Sequence, residues 1–273
     1  MILTGYIQIY CMKENRTAVV VSSCDYFEDC WKPFIFSILK YWDDCPFHIY
    51  IISNFKDTDT PDNISFLKVG EDRKFSSNLK NALNQIDAEY IIYMQEDYWL
   101  NNPVNTASIV RHINYCEQNA IDYMRLTFPY LKGKETDAGY REHTLNQKYS
   151  ICLQAAVWKR ASLISLLRDG DTGWDFEYGI PQYALSNNMM FKVLSIPFEK
   201  RAEGIRYVKG TAVRKGLWTK EGYEFLIDNG FNEFVDHRGR EGRIYGALVD
   251  NNGPFRLVCL ALGKIMKLLK LNF

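Results

Sequence analysis

Glu89 to Leu100 reads EYIIYMQEDYWL, and the reading of this stretch decides the fold. Ile91, Ile92, Tyr93 and Met94 form a short continuous apolar run, as expected of a strand buried on both faces. The run then meets two adjacent carboxylates, Glu96 and Asp97, followed by the bulky Tyr98, Trp99 and Leu100. Open α/β sheets bind ligands outside the carboxyl ends of their strands, so acids delivered there stand where chemistry happens. Hard divalent cations take carboxylate and phosphate oxygens together. One reading is therefore a metal–diphosphate site at a strand end. The other is a solvated acidic turn, and these residues alone leave both open.

Outward from this strand, the preceding chain alternates in type. Thr17 to Ser23 (TAVVVSS) reads as a fully buried first strand, with Ser22, Ser23 and Asp25 at its end. Phe27 to Tyr41 carries apolar residues at helical spacing. Phe47 to Ser53 is a second strand ending at Asn54, and Ile64 to Val69 is a third. Arg73 to Ile86 reads as a helix with Leu79, Ala82, Leu83 and Ile86 on one face. The order strand–helix–strand–strand–helix–strand predicts an α/β fold with helices on both faces of its sheet. Beyond Leu100 the sequence predicts a helix over 103–118, a strand over 121–128, a loop over 131–146, a strand over 149–157, a helix over 159–168 and a final strand over 190–197. Residues 1–16 read as an arm or extra strand.

Three further constellations carry possible chemistry. Asp171, Asp175 and Glu177 lie in GDTGWDFEYG (170–179), with Trp174 and Phe176 flanking Asp175. An acid held between rings is desolvated, which raises its pKa and suits a general base. The alternative is a helix start, where acids are stabilised by the dipole. Lys209, Arg214 and Lys215 form a basic run with Gly210 and Gly216, which fits either a loop closing on a diphosphate or an ordinary solvated loop. Phe255 to Phe273 (FRLVCLALGKIMKLLKLNF) is apolar and basic with no acid, the pattern of an amphipathic helix lying at a membrane surface, or else of one packed on the domain's own core or at a dimer interface.

Composition excludes other classes. Lys+Arg and Asp+Glu are equal at 33 each, so no global charge advertises nucleic acid. The seven cysteines are odd in number and contain no CxxC pair, which argues for a reduced cytoplasmic protein. Met1 to Tyr10 lacks the basic start of a secretory leader. There is no GxxxxGK[ST], no GxGxxG after the first strand, no GxSxG and no HxxxH.

Together the segments VVVSSCDYF, HIYIISN, NALNQIDAEYIIYMQEDYWL, SICLQAAVW and TGWDFEYG resemble the GT-A glycosyltransferases, specifically those of bacterial capsule and surface-polysaccharide synthesis. The resemblance runs over roughly residues 17–220. It implies a Rossmann-like, mixed, mostly parallel sheet with a nucleotide-sugar half (17–102), an acceptor half (103–220) and a C-terminal helical extension (221–273). It implies that Ser23, Asp25 and Asn54 hold base and ribose. Arg73 and Lys80 would contact nucleotide or phosphates, with Lys209, Arg214 and Lys215 closing on the diphosphate. The family's DxD metal motif stands here as Gln95-Glu96-Asp97, so the first acid is absent. Asp97 matches the metal-binding acid and Glu96 the middle position, with Mn²⁺ or Mg²⁺ as the implied cation.

The function implied is sugar transfer, with inversion, from a nucleotide sugar to an acceptor glycan, which may be lipid-linked. Asp175 is the first choice of base and Glu177 the second. The location implied is cytoplasmic, peripheral on the inner face of the cell membrane. Two rival functions remain: a sugar nucleotidyltransferase, and a carbohydrate-binding or scaffold protein with a decayed site. The first of these is disfavoured by SSCDYFED, where a Gly- and Arg-rich loop would be expected.

Overall fold

The computed structural model describes residues 17–127 and 133–241. The expected N-terminal arm and the basic helix over 255–273 lie outside the described residues. The described chain falls into two compact units that divide between Arg206 and Tyr207, earlier than the expected boundary at 220.

The first unit is built on a nine-stranded sheet ordered β3-β2-β1-β4-β8-β5-β9-β7-β6. Its first half comprises β1 (Thr17–Ser22), β2 (Ile49–Ser53), β3 (Ile64–Lys68) and β4 (Tyr90–Gln95), all parallel. These are the strands the apolar runs predict. Val19, Val20, Val21, Ile91, Ile92, Tyr93 and Met94 are completely buried. Full burial of an aliphatic side chain contributes about 1.5–3 kcal/mol, which is why such runs dictate a strand covered on both faces.

Five helices of this unit supply the cover: α1 (Glu28–Tyr41), α2 (Lys74–Leu83), α3 (Thr106–Asn119), α4 (Arg160–Leu166) and α5 (Gly173–Ser186). Side chains alternate across a sheet, so one set of strand residues meets one layer. Val20, Ile52, Ile91 and Tyr93 share a core with Leu79 and Leu83 of α2, Leu163 of α4, and Phe176 and Ile180 of α5. On the other face Trp31 of α1 packs against Phe66 of β3 at a tilt, with ring centroids 4.8 Å apart and planes inclined by 59°. There too, Tyr90 Oη donates to the Cys116 carbonyl of α3 at 3.1 Å. The α/β class and the helices on both faces are as the sequence predicts.

The second half of the sheet is mixed. β8 (Ala156–Lys159) runs antiparallel to both β4 and β5 (Tyr123–Arg125), and β9 (Val193–Ser195) runs parallel to β5. Two expectations fail here. Residues 131–146, expected as a loop, contain a hairpin of β6 (Lys134–Glu135) and β7 (Arg141–His143) that extends the sheet edge through β9. Residues 149–157, expected as a strand, are irregular up to Ala155. Tyr149 takes a left-handed φ of +62°, which a strand does not allow.

In the second unit, β10 (Val213–Arg214) and β11 (Leu217–Trp218) form a hairpin, and α6 (Lys220–Asp228) is capped by Thr219, which accepts from Gly222 N–H at 3.0 Å. Lys215 and Gly216, the two turn residues, sit at φ +52° and +80°, the paired positive values of a tight hairpin turn. Among the described residues, no helix is long and apolar enough to cross a membrane.

Candidate functional site

The strand order places β1 between β2 and β4, so successive crossovers leave β1 in opposite directions. Such a reversal opens a crevice at the carboxyl ends of the two strands. Ser22 pairs in register with Gln95, which sets Ser23–Asp25 beside Glu96–Asp97.

The acids after β4 are not solvated. Glu96 and Asp97 are 7% and 8% exposed, which removes the reading of an exposed acidic turn. The turn is fixed from within: Tyr98 N–H donates to the Gln95 carbonyl at 3.1 Å, and Trp99 Nε1 donates to the Glu96 carbonyl at 3.0 Å. Gln95, standing where the metal motif has its first acid, turns its Nε2 to Tyr93 Oη at 3.1 Å.

The residues expected at base and ribose lock two loops together. Asp25 N–H donates to Asn54 Oδ1 at 3.1 Å, and Asn54 N–H donates back to Asp25 Oδ1 at 2.8 Å. The Asp25 carboxylate also accepts from the N–H groups of Phe55 and Lys56, and Asn54 Nδ2 donates to the Gly70 carbonyl at 2.8 Å. Ser23 Oγ accepts from Trp31 Nε1 at 2.8 Å. These side chains thus hold the ends of β1, β2 and β3 in one arrangement. Between them, burial pushes the Cys24 thiol up to about 11, helped by the negative charges of Glu96, Asp72 and Asp25.

Arg73 and Lys80 line an open polar cavity of about 640 Å³ beyond the end of β3, with Glu71, Ser77, Asn78 and Asp169. The turn leading into α2 is pinned by Asn78, which accepts from Arg73 N–H at 3.0 Å and donates to Asp72 at 2.8 Å. Lys80 is paired with Asp169 at 3.1 Å. Neither Glu96 nor Asp97 lines this cavity. The other basic residues lie in the second unit, where Arg214 Nη1 meets both Glu241 carboxylate oxygens at 3.3 Å.

The two candidate bases separate clearly. Asp175 is the third residue of α5 and closes a capping box with Thr172: its Oδ2 accepts from Thr172 N–H at 3.0 Å, and Asp175 N–H donates to Thr172 Oγ1 at 3.2 Å. Those hydrogen bonds from Thr172 hold its carboxyl below the usual range, so it is a weak base. Asp175 takes the helix-start role. Glu177 is half-buried, and burial raises its pKa above that of an ordinary glutamate, against the opposing pull of the Leu153 N–H and the Arg125 guanidinium. Glu177 Oε1 accepts from Leu153 N–H at 2.6 Å.

Leu153 lies in the irregular stretch before β8, which crosses the carboxyl ends of β4 and β5 because β8 runs antiparallel to both. Its carbonyl accepts from Tyr98 Oη at 2.9 Å. One residue is thus gripped by the turn carrying Asp97 on one side and by Glu177 on the other. The stretch is held further by Tyr123 Oη on the Cys152 carbonyl at 3.3 Å and by buried Arg125 on the Tyr149 carbonyl. Arg125 was not singled out for the site from sequence. Its signal is a cation inside the apolar strand IDYMRLTF, since a buried charge needs a partner.

Among the described residues, no group of three or more His, Cys, Asp or Glu side chains comes together as a metal site. With Gln95 in place of an acid, the crevice offers Glu96 and Asp97. That donor set fits a hard cation which takes its remaining oxygens from a bound diphosphate and water, as Mg²⁺ commonly does.

No protein-family model matches the chain, and no curated protein matches it. Solved structures to which it is similar include S. aureus TarS (13% identity, 77% of this chain and 38% of that one, TM-score 0.46). A second is a mannosyltransferase from Pyrobaculum calidifontis in complex with GDP-Man and Mn²⁺ (14%, 67% and 54%, TM-score 0.44). A third is a cytidylyltransferase from Leptospira borgpetersenii (10%, 67% and 76%, TM-score 0.42). The chain spans less than two thirds of the length of the first two. At these scores no residue role is transferred from them.

Proposed function

We propose that this chain is a glycosyltransferase that moves a sugar, with inversion, from a nucleotide sugar to an acceptor glycan. The observation that carries the reading is the grip on Leu153: Tyr98 and Glu177 tie a buried acidic turn at the sheet's switch point to a half-buried carboxylate with a raised pKa. The interlocked loops of Asp25 and Asn54 bind the nucleotide, and Arg73 at the adjoining cavity meets phosphate. Glu177 takes the proton from an acceptor hydroxyl. The oxygen attacks the anomeric carbon as the bond to the diphosphate breaks, and the nucleoside diphosphate leaves with the electron pair. A divalent cation held by Asp97, with Glu96 beside it, supplies positive charge to the leaving diphosphate when bound.

A sugar nucleotidyltransferase is the second reading on such a sheet. Its nucleophile is a sugar phosphate, already anionic near neutral pH because the second phosphate pKa is about 6, so it needs no general base. The desolvated Glu177 favours an acceptor that must lose a proton.

Calorimetric titration with UDP, GDP and CDP, with and without Mn²⁺, separates the readings. One diphosphate is expected to bind, more tightly with Mn²⁺. Binding of none of them leaves the scaffold standing. The membrane-peripheral location is part of the proposal and rests on the basic, acid-free sequence of Phe255–Phe273. The full chain is expected to float with anionic liposomes at low salt and a chain ending at Gly253 is not; equal behaviour of the two removes this part.

A further inference from the structure

Burial on α5 divides its faces. Phe176, Ile180 and Ala184 point into the core. Trp174 and Tyr178, four residues apart and so on one face, are 68% and 55% exposed. Their rings are near parallel, with centroids 5.9 Å apart and planes inclined by 16°. Glu177 lies on the helix between this exposed face and the core.

A third ring comes from elsewhere. Tyr149 reaches Tyr178 with centroids 6.2 Å apart, and the two hydroxyls are 3.5 Å apart. Tyr149 is held for this in a left-handed conformation at φ +62°, a strained state for an aromatic residue, with its carbonyl bonded to buried Arg125. Lys148 sets its ammonium over both tyrosine rings, 4.9 Å from the Tyr149 centroid and 5.8 Å from that of Tyr178. Ordering four exposed side chains costs conformational entropy, and strain at Tyr149 adds to it. A solvated helix face needs none of this.

Resting on the glycosyltransferase reading, we infer that Trp174, Tyr178 and Tyr149 form the acceptor platform, and that the acceptor is a glycan with an anionic substituent met by Lys148. A pyranose ring has an apolar face of C–H groups and a rim of hydroxyls. Flat exposed rings match the face, and the phenolic hydroxyls match the rim. Lys148 is the cation over the tyrosine rings, and a carboxylate or phosphate on the sugar draws it off them into a charge-assisted contact. The platform adjoins Glu177, the group that must reach an acceptor hydroxyl. A protein surface or a second copy of this chain is the competing occupant, but it needs no strained tyrosine beside a half-buried acid.

The tryptophans provide the measurement. Trp31, Trp42, Trp99, Trp158 and Trp218 are at most 1% exposed, so acrylamide quenching of the intrinsic fluorescence reports Trp174 alone among the six. Methyl β-glucopyranoside and its uronate, at millimolar concentration and without nucleotide, are each expected to shield Trp174. The uronate should bind about tenfold more tightly, as one charge-assisted contact gives. Lys148→Gln should abolish that preference, and Tyr178→Ala should weaken shielding a few-fold to about tenfold. No shielding by either sugar overturns the platform, as does shielding that grows with protein concentration alone. A uronate preference that survives in Lys148→Gln overturns the assignment of Lys148. Diphosphate titration on the same preparation is independent, so loss of nucleotide binding with shielding intact would count against the donor reading and not the platform.

Discussion

Glu177→Gln is expected to lower turnover by about 10²–10⁴-fold, the usual contribution of a positioned general base, while nucleoside diphosphate binding stays near wild type. Glutamine keeps the size of the side chain and its acceptor toward Leu153 N–H. What it loses is the ability to take a proton. The wild-type rate should rise with pH along an acid limb lying above the ordinary glutamate value, because burial raises this pKa and the base works only when ionised. That limb should vanish in the variant. Asp175→Ala is the contrast. Losing the capping box should lower stability slightly and leave turnover close to wild type. Turnover that survives in Glu177→Gln and collapses in Asp175→Ala would reverse the assignment.

Asp97→Asn is expected to cost at least about two orders of magnitude in turnover, as for loss of a main electrostatic contributor. The amide keeps the volume of a buried side chain and removes the charge that a hard cation requires. The gain in diphosphate affinity on adding Mn²⁺ should disappear with it, and calorimetry reads that gain without turnover. Wild-type activity in the variant, or full wild-type activity in EDTA, contradicts a cation at Asp97.

The first half of the sheet was legible because its strands are buried on both faces. AVVV and YIIYM are apolar without interruption, and runs this short suit a covered strand better than a helix. The stretch 149–155 misled for a related reason. Its middle, Ser150 to Leu153, is buried like a strand, but backbone groups of the stretch are taken by side chains distant in sequence: Tyr98, Tyr123, Arg125 and Glu177. Periodicity reports which residues are buried and not which partner satisfies their N–H and C=O groups. The β6–β7 hairpin escaped notice because its strands are two and three residues long and carry no alternating pattern.

The capping role of Asp175 was legible in the sequence. Thr172 stands three residues before Asp175, the spacing of a capping box, and that signal marks Asp175 as the start of a helix. Glu177 follows Phe176 and precedes Ile180, both on the buried stripe, so a helix beginning at 173 carries it to the stripe's edge. Where that edge faces could not be read, because it depends on Leu153, a residue brought there by the antiparallel return of β8. The clamp between Asp25 and Asn54 was visible only as two polar residues at strand ends. Their mutual hydrogen bonds depend on the parallel pairing of β1 with β2.

The central claim is that the buried acidic turn and Glu177 serve one transfer reaction on a nucleotide sugar. Its most direct measurement is a screen of UDP-, GDP- and CDP-sugars for release of the free nucleoside diphosphate in the presence of Mn²⁺. The account predicts slow release from one donor class with water as acceptor, strongly reduced in both Glu177→Gln and Asp97→Asn. Formation of pyrophosphate from a nucleoside triphosphate and a sugar phosphate, with no diphosphate released from any donor, would contradict it.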